Sequence, residues 1–200
     1  MPLSSPRLIL ASSSRYRREL LARLRLPFEV ISPDIDETPA PGEAPAELAL
    51  RLSVAKALAV ASEQPGCIVI GSDQVATVDG RPIGKPGDFS RAQAQLRELA
   101  GRTVEFHSAL AVTDGQRVEK ADVVTHCRFR PLSDAAIAAY LHAEEPYDTA
   151  GSAKAESLGI ALMEFIRSDD PTAIIGLPLI ALTGMLATFG LDPLAGSGAA

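Results

Sequence analysis

The 200-residue chain has no tryptophan, only two cysteines and only three histidines. Cys67 and Cys127 match no disulfide framework and no metal-ligand spacing. Cys67 lies inside an apolar run and reads as a small core residue. His107, His126 and His142 stand far apart and lack zinc spacing, so no histidine-based metal centre is expected. Ser12, Ser13 and Ser14 have no GxSxG surround, which argues against a serine hydrolase. Gly84-Lys85 lacks the spacing of a Walker loop. Basic charge is also scarce. A net charge of −6 excludes a general nucleic-acid coat, which needs a positive field along the phosphate backbone. Any phosphate site must therefore be local. No leading segment reads as a signal peptide, and reduced cysteines suggest the cytoplasm.

From Pro171 to Leu191 there is no charged residue, a length that can span a bilayer. Its flanks are Asp169, Asp170 and Asp192 rather than Lys/Arg anchors. Gly176, Pro178 and Gly184 divide it into a short extended piece and a helix. It is read as core, and no membrane contact is expected. The composition, 46% hydrophobic and 22% charged, is that of an ordinary globular chain and suffices for one sizeable core or two lobes. Neither an internal repeat nor an interdomain linker is visible. Residues 1–193 read as a single domain, and 194–200, with Gly-Ser-Gly-Ala-Ala, as a flexible tail.

Hydrophobic periodicity predicts strands over 7–12, 27–32, 67–70, 75–78, 103–113, 117–130 and 159–166. It predicts helices over 14–25, 45–62, 90–100, 133–143 and 178–189. Asp79-Gly80 and Asp114-Gly115 read as hairpin turns. Strands and helices alternate, then a long antiparallel pair intrudes. This predicts an α/β protein with a mixed sheet.

The most pointed segment is RLILASSSRYRREL, residues 7–20. A buried strand runs into three serines, and Arg15, Arg17 and Arg18 follow where a helix begins. Arginines in a first helical turn oppose the helix dipole. Hydroxyls, free N–H groups and guanidinium forks together suit a phosphate.

Further along, Asp34, Asp36 and Glu37 cluster after the second strand. They suit Mg²⁺ or Mn²⁺, or else form a solvated acidic loop. Gly71-Ser72-Asp73-Gln74 follows the most apolar strand, where α/β folds place ligands. Asp73 there either ligates a metal, accepts a proton from attacking water, or stabilises a turn. Lys56, alone of its kind in its helix, either snorkels to solvent or points into a charged cleft. Lys85 lies between two turn residues, an ordinary place for a solvated lysine. Residues 148–160 form a small polar loop, which either lets a ligand approach closely or is an ordinary surface connection.

Taken in order, Ala-Ser-Ser-Ser-x-x-Arg-Arg, Asp-Glu-Thr, Lys56, Gly-Ser-Asp-Gln, Gly-Lys-Pro, Ala-Gly-Ser and Ile-Gly-Leu-Pro-Leu resemble the Maf proteins, which are nucleoside triphosphate pyrophosphatases. The resemblance covers nearly the whole chain. It implies an elongated α/β fold of the inosine triphosphate pyrophosphatase type, with two lobes around a cleft. It implies a cytoplasmic homodimer, a divalent cation (Mg²⁺, Mn²⁺ or Co²⁺), and hydrolysis of the α–β phosphate bond to a monophosphate and pyrophosphate. It assigns Ser12, Arg17, Lys56 and Lys85 to the phosphates, Glu37 to the metal, and Asp73 to catalysis as proton acceptor or metal ligand.

Gly-Ser-Asp-Gln and Ala-Gly-Ser-x-Lys-x-Glu resemble the subgroup acting on 7-methyl-GTP. The dTTP/UTP subgroup is the nearest alternative, and a non-enzymatic nucleotide-binding regulator of septum formation the second. Tyr16, Gln74 and Glu156 fall on positions tied to base selection. The subgroup often carries Trp where this chain has Tyr16, and a smaller ring implies looser selectivity.

Overall fold

A computed structural model describes residues 6–195. The expected tail therefore lies outside the described residues from 196 onward. Seven strands form one mixed sheet in the order β2-β1-β3-β5-β6-β7, with β4 beside β3. β1 (Leu8–Ala11), β2 (Phe28–Ile31) and the first part of β3 (Ile68–Val78) are parallel. β4 (Arg81–Ile83), β5 (Thr103–Thr113), β6 (Val118–Phe129) and β7 (Met163–Arg167) join by antiparallel pairing. At about 3.3 Å per residue, the long central strands each run nearly 40 Å, which makes the sheet elongated.

Helix α2 (Pro45–Glu63) lies on one face of the sheet. Its Ala57, Val60 and Ala61 pack on Ile9, Ala11, Val69 and Ala111, and its Leu48 and Leu52 pack on Val75 and Ala109. Two separate apolar clusters cover the opposite face. In one, α1 (Arg15–Ala22) and α5 (Leu179–Thr188) bury Leu8, Leu10, Ile68, Ile70, Leu110 and Val112. In the other, α3 (Phe89–Leu99) and α4 (Asp134–Glu144) bury Ala76, Val78, Val104 and Phe106. These clusters are the two lobes, and β3 and β5 run through both. A 3₁₀ turn over Ala173–Ile175 sits at their junction, with Ile174 packed on one cluster and Ile175 on the other.

The sequence suggests two strands, over 67–70 and 75–78, with a polar turn between them. The chain instead forms the single strand β3. Its polar middle remains extended because each of the three polar side chains there finds a partner. Asp73 meets Lys56, Ser72 meets two carbonyls, and Gln74 meets Ser108 and two further carbonyls. The second difference lies in the charge-free run. The piece expected to be extended is the 3₁₀ turn, closed by Gly176 at φ +115°. The third is at 159–166, where a 3₁₀ segment over Leu158–Leu162 precedes a shorter strand. Among the described residues, no helix is long and apolar enough to cross a membrane.

Pairing along β3 creates an opening. β5 takes one edge continuously from Val69 to Thr77. On the other edge β1 pairs only as far as Gly71, and β4 resumes only at Ala76. Residues 72–75 thus face a gap in the sheet. Close contact with α2 fixes this region. A Cβ on Gly71 would stand 2.1 Å from the Ser53 carbonyl oxygen and 2.7 Å from the Ala57 nitrogen. Gly71→Ala is therefore expected to lose about 3 kcal/mol or more of stability, because α2 must lift from the sheet. Urea unfolding would measure the loss.

Candidate active site

The gap opens into a cleft of about 590 Å³. All nine residues that the family resemblance assigns line it: Ser12, Tyr16, Arg17, Glu37, Lys56, Asp73, Gln74, Lys85 and Glu156, whereas Asp34, Asp36 and Arg18 do not. They come from six different segments of the chain, so only the folded sheet brings them together.

The phosphate-like corner begins where β1 ends. Ser12 is buried, and its Oγ accepts the Ser14 N–H at 3.1 Å. The Ser14 side chain caps α1 by accepting the Arg17 N–H. These contacts fold residues 12–14 into a tight lead-in and leave the Ser12 hydroxyl proton available to an acceptor. Arg17 is half-buried, and its Nε donates to the Gly176 carbonyl at 2.9 Å. Burial pushes the guanidinium pKa down, while Asp73 and Glu37 push it back. It stays charged, because an arginine in a protein does not give up its proton. Among the described residues no carboxylate forms an ion pair with Arg17. An enclosed cation without a partner anion is suited to an anion.

Arg15 instead turns toward the cleft mouth. Its Nη2 donates to the Tyr16 hydroxyl at 2.7 Å and lies 4.0 Å from Asp148. Arg18 is exposed.

Opposite this corner is a three-residue ionic cluster. Lys56 Nζ lies 2.7 Å from Asp73 Oδ1 and 2.7 Å from Glu37 Oε1. Lys56 and Asp73 are buried, whereas the Glu37 carboxylate is largely exposed. Lys56 therefore does not snorkel to solvent; it is the cation between two carboxylates. Asp73 lies mid-strand at the sheet gap, which removes the turn-stabilising alternative. The loop carrying Glu37 is itself tied down. Arg51 pairs with Glu43 at 2.6 Å and donates to the Thr38 carbonyl at 3.1 Å. With the Ala40 N–H, Arg51 holds the Glu43 carboxyl down at about 2.

Among the described residues no three acidic, histidine or cysteine side chains cluster tightly enough to hold a metal by themselves. Asp73 and Glu37 nonetheless fit a hard divalent cation. Both offer oxygen donors, and such ions commonly take one or two carboxylates with the remainder from phosphates and water.

The third wall comes from the other lobe. Lys85 and Glu156 are exposed and line the cleft. Lys154, although close by in sequence, points away; its Nζ donates to the Glu144 carbonyl at the end of α4. Gly151 (φ +76°) lets the Ala150–Ser152 turn lie on Phe106, where a Cβ would stand 3.3 Å from the ring.

Gln74 lines the cleft but does not face it freely. Its amide nitrogen reaches Ser108 Oγ at 2.9 Å and the Ala173 and Ile174 carbonyls at 3.1 Å each. Sequence reasoning missed Asp148, which lies 3.5 Å from the Tyr16 hydroxyl. It noted Gly176 as a break in an apolar run and as part of the Ile-Gly-Leu-Pro-Leu motif, but missed the contact of its carbonyl with Arg17.

Known proteins match this chain closely. The family described as Maf-like protein matches residues 7–189. A protein of Bordetella avium named 7-methyl-GTP pyrophosphatase is 82% identical over 95% of this chain and 96% of its own length. One of the same name from Bordetella pertussis is 79% identical, with 98% of each chain covered. A third so named, from Burkholderia thailandensis, is 62% identical over 94% of this chain and 89% of its own. Among solved structures, a HAM1 protein from Coxiella burnetii superposes with a TM-score of 0.54 at 18% identity. The match covers 92% of this chain and 99% of that one, and it bears on the fold alone.

Lys56→Met removes the cation between Asp73 and Glu37 and leaves Asp73 buried without a partner. The expected cost is about 2 kcal/mol, below the range for a fully buried pair because Glu37 is exposed. Urea unfolding at neutral pH would measure it.

Proposed function

The chain belongs to the Maf family, and from that premise we propose that it hydrolyses 7-methyl-GTP to 7-methyl-GMP and pyrophosphate. The observation that carries this reading is the convergence of Arg17, Lys56 and Lys85 with Ser12 and Asp73 on one cleft. Three cations answer the charge of a triphosphate, and a carboxylate lies among them. In phosphoryl transfer most of the work is positioning and neutralisation of oxygen charge.

In this reading Arg17, Lys85 and the Ser12 hydroxyl bind the phosphate oxygens. Asp73 orients the attacking water and takes its proton as the water oxygen bonds to phosphorus and the α–β bridge breaks. Lys56 holds Asp73 in place through the 2.7 Å contact. Asp73 and Glu37 would also hold a divalent cation (Mg²⁺, Mn²⁺ or Co²⁺), which when bound offsets charge on the phosphates.

The base end is formed by Tyr16 and Glu156. 7-Methylguanine carries a positive charge on its imidazole ring, which an aromatic face and a carboxylate both favour. Glu156 has no hydrogen bond or ion pair among the described residues and is free to serve the base. The same reading includes a homodimer in the cytoplasm, where nucleotides are found.

The test is a substrate panel with purified protein, with and without each divalent cation. 7-Methyl-GTP should be cleaved faster than GTP, dTTP or UTP, with pyrophosphate released and turnover dependent on the cation. Asp73→Asn should keep nucleotide binding and lose at least 100-fold in kcat, the scale of a lost general base. Preference for dTTP and UTP would assign the chain to the other substrate class, and wild-type turnover by Asp73→Asn would remove Asp73 from the reaction.

A further inference from the structure

The cleft has a part that its substrate-facing residues do not explain. Residues 173–176 turn at the junction of the two lobes, and every carbonyl there except that of Ile175 is held by a side chain. Ser108 Oγ donates to the Ala173 carbonyl at 2.7 Å. The Gln74 amide is shared among Ser108 and the Ala173 and Ile174 carbonyls. The Gly176 carbonyl takes two donors, Arg17 Nε at 2.9 Å and Ser72 Oγ at 3.0 Å. Ser72 and Ser108 have no exposed surface. Substrate cannot touch them, so any influence they have on the reaction passes through the turn.

We propose that Ser72 is a positioning residue that holds Arg17 in its phosphate-binding orientation through the Gly176 carbonyl. The geometry is that of a brace. Ser72 stands on rigid β3, where its single hydroxyl proton is shared between the Gly176 carbonyl at 3.0 Å and the Ala109 carbonyl of β5 at 2.9 Å. It thereby fixes the Gly176 carbonyl oxygen against the sheet. That oxygen engages only the Nε edge of Arg17. With Nε anchored, the orientation of the planar guanidinium is restricted, and its two terminal nitrogens are left for an anion.

Gly176 is suited to this place by its backbone. Its φ of +115° disfavours side chains, although a Cβ itself would meet Arg17 Nε only at an ordinary contact distance of 3.6 Å. The brace also changes the reading of Gln74. Its donors bind the same turn, so it shapes the wall of the cleft and does not read the base by those groups.

This inference rests on Arg17 binding phosphate, as in the reading above. It is tested by a double-mutant cycle of Ser72→Ala and Arg17→Ala, reading KM and kcat separately for 7-methyl-GTP. Ser72→Ala should raise KM about fivefold, the size of one lost buried hydrogen bond, and leave kcat within about twofold. In the Arg17→Ala background the same change should have no further effect, because the group it positions is gone. A merely structural serine would act equally in both backgrounds.

An unchanged KM in Ser72→Ala, or a full-sized effect in the absence of Arg17, would overturn the brace. Should Ser72→Ala fail to fold, Gly176→Ala enters the same cycle and disturbs the same carbonyl from the other side. The cycle is repeated on binding of inorganic tripolyphosphate by calorimetry. A wild-type protein inert toward nucleotides would count against the proposed substrate, while the tripolyphosphate cycle would still decide the brace.

Discussion

Helix α2 can lie against the middle of β3 only because residue 71 has no side chain. A Cβ there would enter the backbone of α2 at Ser53 and Ala57. The approach places Lys56, one turn along from Ser53, within 2.7 Å of Asp73. It occurs where β1 stops pairing with β3 and before β4 begins. One glycine thus connects the packing of the core to the charge arrangement of the cleft. Without that contact the Lys56 ammonium would have no reason to be buried, and Asp73 would lose its partner.

The cleft separates two kinds of charge. On the α2 side, two carboxylates share one lysine. On the α1 side, a half-buried arginine has a carbonyl for its Nε and, among the described residues, no carboxylate for its remaining nitrogens. The first arrangement pairs its charges within the protein, and the second leaves a cation whose nitrogens suit an anion. The local field is therefore favourable to phosphate although the whole chain is acidic, at −6. Membership of the Maf family and 82% identity to a protein named 7-methyl-GTP pyrophosphatase accord with that division. The mouth, proposed to take the base, differs in character, with half-buried Tyr16 and exposed Arg15 from one lobe and exposed Asp148 and Glu156 from the other.

Much of this was legible in the sequence. The serine triplet followed by arginines pointed to an anion site, and the ordered motifs pointed to the fold and to nine residues that do line one cleft. Ser133 caps α4, at the start of the helix expected over 133–143. What escaped was long-range compensation. Gly-Ser-Asp-Gln reads as a turn because its polar residues break an apolar run, and nothing local reveals the lysine, carbonyls and serine that satisfy them. The same blindness hid the role of Gly176. A glycine in an apolar run signals a break in structure, whereas its carbonyl acts on an arginine 159 residues away. Gln74 shows the converse. The family resemblance ties its position to base selection, while its amide donors are engaged with the 173–176 turn through contacts invisible in the sequence.

In the proposed reading the two ends of the cleft have different tasks, the triphosphate at Arg17, Lys85 and Ser12, with Lys56 steadying Asp73 beside it, and the base at Tyr16 and Glu156. A crystal structure with a non-hydrolysable 7-methyl-GTP analogue tests it most directly. The account predicts phosphate oxygens within hydrogen-bonding distance of the Arg17 terminal nitrogens and the Lys85 ammonium, with the methylated ring against Tyr16. A reversed pose, with phosphates at the Tyr16–Asp148 mouth and the base beside Asp73, would contradict it. So would a nucleotide seated in the separate groove between β4 and α3, near Arg81 and Arg91.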